Sequence, residues 1–151
     1  MIQRFAAIAF FISSIFGFNS YALAQNTVVT AKGDDLHYLG YVLLTGDTLS
    51  WVNIESNDIY NLSRGLYFRK TIMLDFVQDD NLYFFGNALI SGNKEELQKI
   101  KDDNWFYLGS AIFEKTTAYL ENVTNDDIYY LGKAVVERDF NFLNRLSSEK
   151  K

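Results

Sequence analysis

From Asp34 to Ser148 the apolar positions follow a period of 23 residues, far longer than the turn of a helix or the alternation of a strand. Five stretches align without insertion: "DDLHYLGYVLL" at Asp34, "NDIYNLSRGLY" at Asn57, "DDNLYFFGNALI" at Asp79, "DDNWFYLGSAIF" at Asp102 and "NDDIYYLGKAVV" at Asn125. They share a column that reads Gly40, Ser63, Gly86, Gly109 and Gly132. Around it, five columns never turn polar. Four residues before it stand Leu36, Ile59, Leu82, Trp105 and Ile128, and directly before it Leu39, Leu62, Phe85, Leu108 and Leu131. Three residues after it come Leu43, Leu66, Leu89, Ile112 and Val135. Later in each unit follow Trp51, Leu74, Leu97, Leu120 and Leu143, then Ile54, Val77, Ile100, Val123 and Leu146. A fixed period kept over five copies is the mark of a repeat protein, and these columns are its core. One unit is too short to bury its own apolar face, so neighbours must stack and share it.

Within a unit the second half predicts a short helix. Asp47, Asn93, Thr116 and Asp139 share one column as helix N-caps, and "NKEELQKI" supplies helix formers; the second unit has Lys70 there and lacks the cap. The first half fits two readings. As a helix, its core columns fall at i, i+3 and i+7, but a glycine then occupies four of five helix centres at about 1 kcal/mol each. As a β-hairpin, the glycine sits in a tight turn, and the aromatic column His37, Tyr60, Tyr83, Phe106 and Tyr129 faces the small column Val42, Gly65, Ala88, Ala111 and Ala134 across the strands. The glycine argument favours the hairpin. The expected fold is an α+β tandem-repeat solenoid of five units, each a β-hairpin plus a short helix, with an all-α helix-hairpin solenoid as the alternative.

Other signals bound compartment and partners. The segment "MIQRFAAIAFFISSIFGFNSYALAQ" has Arg4, an apolar run from Phe5 to Phe18, and Ala22-Leu23-Ala24, the layout of a cleavable secretory signal. The expected organisation is a signal peptide over residues 1–24, a linker over 25–33, repeats over 34–148 and a polar tail over 149–151. A periplasmic or secreted location follows, with no membrane attachment after cleavage. The chain has no Cys, one His and a net charge of −5. No thiolate or multi-histidine metal site is therefore expected, and an acidic chain is a poor fit to nucleic acid. No cofactor or metal is expected.

The units resemble the DKNYY repeat family of exported bacterial proteins, best in the last copy at Asp126, Ile128, Tyr129, Tyr130, Gly132, Lys133, Val135, Asp139, Leu143 and Leu146. The first copy adds Gly40, Leu43, Asp47, Trp51 and Ile54. Two departures are the Leu or Phe before the glycine position in every copy and a shorter connection between units. The resemblance implies an exported repeat protein and no established activity.

Three features are candidate sites. The column Asp34, Asn57, Asp80, Asp103, Asp126, followed by Asp35, Asp58, Asn81, Asn104, Asp127, would stack into an oxygen ladder of the kind that holds Ca²⁺ on some solenoids, although turn and capping roles suit the same residues. Tyr38, Phe84, Tyr107 and Tyr130 form a second aromatic column, suited to gripping a partner if exposed or to covering the core if not. The second unit is degenerate, with Ser63 for glycine and a basic group of Arg64, Arg69 and Lys70. His37 lies in an aromatic column and is expected to pack. The binding residues expected are thus Tyr38, Arg64, Arg69, Lys70, Phe84, Tyr107 and Tyr130, with no catalytic residue. The expected function is a non-catalytic exported module that binds a protein; the alternatives are a periplasmic inhibitor or immunity protein against one toxin or enzyme, and a carbohydrate-acting enzyme using Asp pairs.

Overall fold

A computed structural model describes residues 35–146; the expected signal peptide and polar tail lie outside them. Five α-helices alternate with five short 3-10 helices over these residues. In chain order they are α1 Asp35–Thr45, η1 Thr48–Asn53, α2 Asn57–Phe68, η2 Thr71–Phe76, α3 Asp80–Ser91, η3 Lys94–Lys99, α4 Asp103–Glu114, η4 Thr117–Asn122, α5 Asp126–Glu137 and η5 Phe140–Arg145. There is no strand among the described residues. The expected hairpin is therefore wrong, and the fold is an all-α tandem-repeat solenoid. Two helices fit into 23 residues because the second is one tight 3-10 segment, closed by i→i+3 bonds such as Val77 N–H to Leu74 O at 2.9 Å.

Local chemistry fixes both ends of each element. Ser56, Asp79, Asp102 and Asn125 cap α2 to α5, each accepting from a first-turn N–H. Every α-helix stops at a left-handed residue: Gly46, Arg69, Gly92, Lys115 or Arg138. The caps read from the sequence for the 3-10 segments hold. Asp47, Asn93, Thr116 and Asp139 accept from Leu49, Glu95, Ala118 and Asn141 N–H, while Lys70 makes no capping bond.

The mid-helix glycines serve packing, which the hairpin reading missed. A Cβ on Gly109 would lie 2.6 Å from Leu97 Cδ2 and 3.3 Å from a ring carbon of Phe85, both in the preceding unit. On Gly132 it would meet Leu120 Cδ2 at 2.5 Å and Leu108 Cδ1 at 3.1 Å. Each 3-10 leucine thus inserts where the next helix lacks a side chain. Close approach offsets the intrinsic helical cost of glycine. The column before the glycine position is fully buried in all five units, as expected of a core column.

The array closes on itself. Helix α1 packs against α2 on one side and against α5 and η5 on the other. A Cβ on Gly40 would meet Leu143 Cδ2 at 2.5 Å and Leu131 Cδ1 at 3.0 Å, the same two register positions that face Gly132. Unit 5 therefore stands to unit 1 as unit 4 stands to unit 5. Two contacts reinforce this junction. Buried His37 donates from Nδ1 to the Leu143 carbonyl at 3.0 Å, and the Tyr41 and Phe140 rings are 5.5 Å apart. His37 packs, as its column suggested, and it also ties the closing junction.

Candidate functional site: the face of units 1 and 2

Helix starts account for the acidic column. Asp35 accepts from Glu55 N–H at 2.7 Å and Ser56 N–H at 2.9 Å, and Asp58 from Gln78 and Asp79 N–H at 3.0 and 3.1 Å. Asn81 does the same for Lys101 and Asp102, and Asn104 for Thr124 and Asn125. Each side chain reaches one unit forward and holds the backbone that enters the next helix. These oxygens serve as inter-unit brackets, a use that needs no cation.

The aromatic column is spread around the array. Tyr38 is buried, and Phe84, Tyr107 and Tyr130 are half-buried. Each meets its chain neighbour edge to face, with Tyr83–Phe84, Phe106–Tyr107 and Tyr129–Tyr130 centroids at 5.4, 5.3 and 5.3 Å. Cations cover two of the rings, Lys99 Nζ over Phe84 at 5.4 Å and the Arg145 guanidinium over Tyr130 at 5.2 Å. No two of these four residues share a unit.

The junction between units 1 and 2 departs from the rule. Ser63 takes the glycine position and is fully buried, its hydroxyl donating to the Tyr60 carbonyl at 2.8 Å. At Gly86, Gly109 and Gly132 the 3-10 leucine of the preceding unit fills the space beside this position. Trp51 stands in the leucine column of unit 1, where the core pattern placed it. It is only half-buried and lies against Tyr67 and Phe68, with centroids 5.3 and 5.8 Å away. Its indole Nε1–H is buried without an acceptor. Such a donor costs about 1–3 kcal/mol, so this junction is the least well satisfied of the five.

Units 1 and 2 also carry exposed apolar side chains on their 3-10 segments and at the end of α2. Leu49 and Val52, on the same 3-10 segment as Trp51, are 77% and 85% exposed. Phe68 is exposed at the end of α2, and Ile72 and Phe76 on η2 are 61% and 66% exposed. The columns of these residues are polar or small in units 3 and 4: Glu95 and Ala118 stand where Leu49 and Ile72 do, and Lys99 and Asn122 where Phe76 does. The sequence signal is a set of otherwise polar columns that turn apolar in unit 1 or unit 2, and in both at Leu49 and Ile72.

The basic residues of unit 2 lie in the same stretch. Arg69 and Lys70 connect α2 to η2, and the Arg64 guanidinium sits 5.4 Å over the Tyr60 ring. None of the three makes an ion pair among the described residues, whereas Lys94, Lys99 and Lys133 pair with Glu114, Glu96 and Glu137. Those pairs shift the groups as expected. The hydrogen bond with Glu114 raises the Lys94 pKa, and that with Glu137 raises the Lys133 pKa. Unit 2 is the one unit whose Lys and Arg equal its Asp and Glu in number; in the other four the acids are in excess.

Comparison with family models, curated proteins and solved structures found no match to the chain.

Proposed function

We propose that the protein is an exported, non-catalytic binding module that engages a protein partner through the face of units 1 and 2. The observation that carries this reading is the broken symmetry of an otherwise regular array. Five units share one packing scheme, yet most of the large exposed apolar side chains lie on two adjacent units, together with three cations that form no ion pair among the described residues. A surface-wide relaxation would scatter such changes; a cluster of exposed Leu, Val, Ile and Phe rimmed by charge is the composition of an interaction site. Of the seven residues expected to bind, Arg64, Arg69 and Lys70 belong to this face.

The test uses register as its own control. A photo-crosslinking amino acid is placed at residue 72 and, separately, at residue 95, the equivalent position in unit 3. Crosslinking is carried out in the producing cell. An adduct of heterologous mass from residue 72 and none from residue 95 supports the reading. Equal labelling, or none from either, refutes it.

A further inference from the structure

We infer that in the free protein the face of units 1 and 2 is covered by the same face of a second copy, in a two-fold dimer. The inference concerns the surface named above but does not depend on a foreign partner. A two-fold interface requires a self-complementary patch, in which one half of the face meets the other half on the partner. This face has that property. Both halves carry exposed apolar side chains, Leu49 and Val52 on unit 1 and Ile72 and Phe76 on unit 2. Their charges differ: unit 1 presents Asp47 and exposed Glu55 without a single Lys or Arg, whereas unit 2 presents Arg69 and exposed Lys70 at the entry to η2, with exposed Asp75 further along it. A two-fold axis between the units sets the acids of one copy against the cations of the other and stacks apolar on apolar. Trp51 packs on Phe68, which is itself exposed on this face.

The repeat supplies substitutions the fold already tolerates. Ile72→Glu places at residue 72 the residue that unit 3 carries at Glu95, and Lys70→Asp the residue that units 1 and 5 carry at Asp47 and Asp139. Lys70→Asp also adds the N-cap that η2 lacks, so it raises the unfolding midpoint while removing an interface cation. A fold defect therefore cannot mimic its effect on assembly. Glu55→Lys places at residue 55 what unit 3 has at Lys101.

The experiment is sedimentation equilibrium of the purified full chain across a range of concentrations. Expected are a wild-type dimer, a dissociation constant weakened at least about tenfold by Ile72→Glu, as for loss of a central apolar contact, and a weaker dimer with a higher melting temperature for Lys70→Asp. Adding Glu55→Lys to Lys70→Asp recovers part of the lost affinity. A wild-type monomer at all concentrations overturns the inference, as does a dimer that neither Ile72→Glu nor Lys70→Asp weakens. Either result leaves the crosslinking test of a foreign partner intact.

Discussion

Closure of the array has an energetic consequence at its last element. In an open array, the terminal unit contacts one neighbour and frays, so truncating its core leucine has little effect on global unfolding. Here Leu143, on the last 3-10 segment, is as buried as Leu97 in the central unit. Both press on a glycine of the unit that follows, Gly40 for Leu143 and Gly109 for Leu97. Replacing either by Ala removes three carbons from a filled slot and leaves a cavity, which costs roughly 2–5 kcal/mol. The two costs should be alike. At about 1–3 kcal/mol/M for the urea slope, each variant lowers the urea midpoint by on the order of 1–2 M. Urea titrations followed by circular dichroism and tryptophan emission give midpoint and slope for wild type, Leu97→Ala and Leu143→Ala. Comparable losses with unchanged slope support closure. A nearly silent Leu143→Ala beside a costly Leu97→Ala refutes the reasoning.

Other expectations follow from the same contacts. Gly109→Ala should destabilise by about 1–2 kcal/mol despite better helix propensity, because its Cβ would overlap Leu97 and crowd Phe85; a stabilised variant in the same urea assay refutes the close-packing account. Lys115→Gly should stabilise by up to about 1 kcal/mol, since Lys115 sits at φ 55° where units 1 and 3 have Gly46 and Gly92, and a lowered midpoint counts against it. Glu96 accepts from Lys99 Nζ at 2.7 Å, and that bond holds its carboxyl below the ordinary 4.5. Its contribution is thus present above pH 4.5 and lost as pH falls through the lowered value, so Glu96→Gln should flatten the acid limb of a midpoint-versus-pH curve; an unchanged limb excludes this role.

The sequence shows the fold where chemistry is local and periodic. The 23-residue period, the fully buried column from Leu39 to Leu131 and the four 3-10 caps were all readable, down to the missing cap at Lys70. The first half of each unit reads as a hairpin when Gly86 or Gly132 is judged by its own backbone preference. Its real role depends on Leu74 or Leu120 in the preceding unit, a contact that no single repeat displays. The bracketing by Asp35, Asp58, Asn81 and Asn104 was hidden for a related reason, since each bond spans 20 or 21 residues. Closure was not legible at all. It depends on the rotation per unit summing to one full turn over five copies, a geometric quantity that residue types do not encode. The face of units 1 and 2 was half-legible: its cations stood out in an acidic chain, while Leu49, Val52, Ile72 and Phe76 passed as ordinary apolar residues.

The central claim is that unit 5 packs on unit 1, and a covalent tie tests it most directly. The chain has no Cys, so Tyr41→Cys with Phe140→Cys introduces the only two thiols, at positions whose rings are 5.5 Å apart. Treated with a short bis-maleimide under native conditions, the closed array predicts rapid intramolecular crosslinking, seen as a faster-migrating monomer on a denaturing gel and abolished by prior unfolding in urea. Crosslinks that form only between molecules, or only after unfolding, would contradict closure.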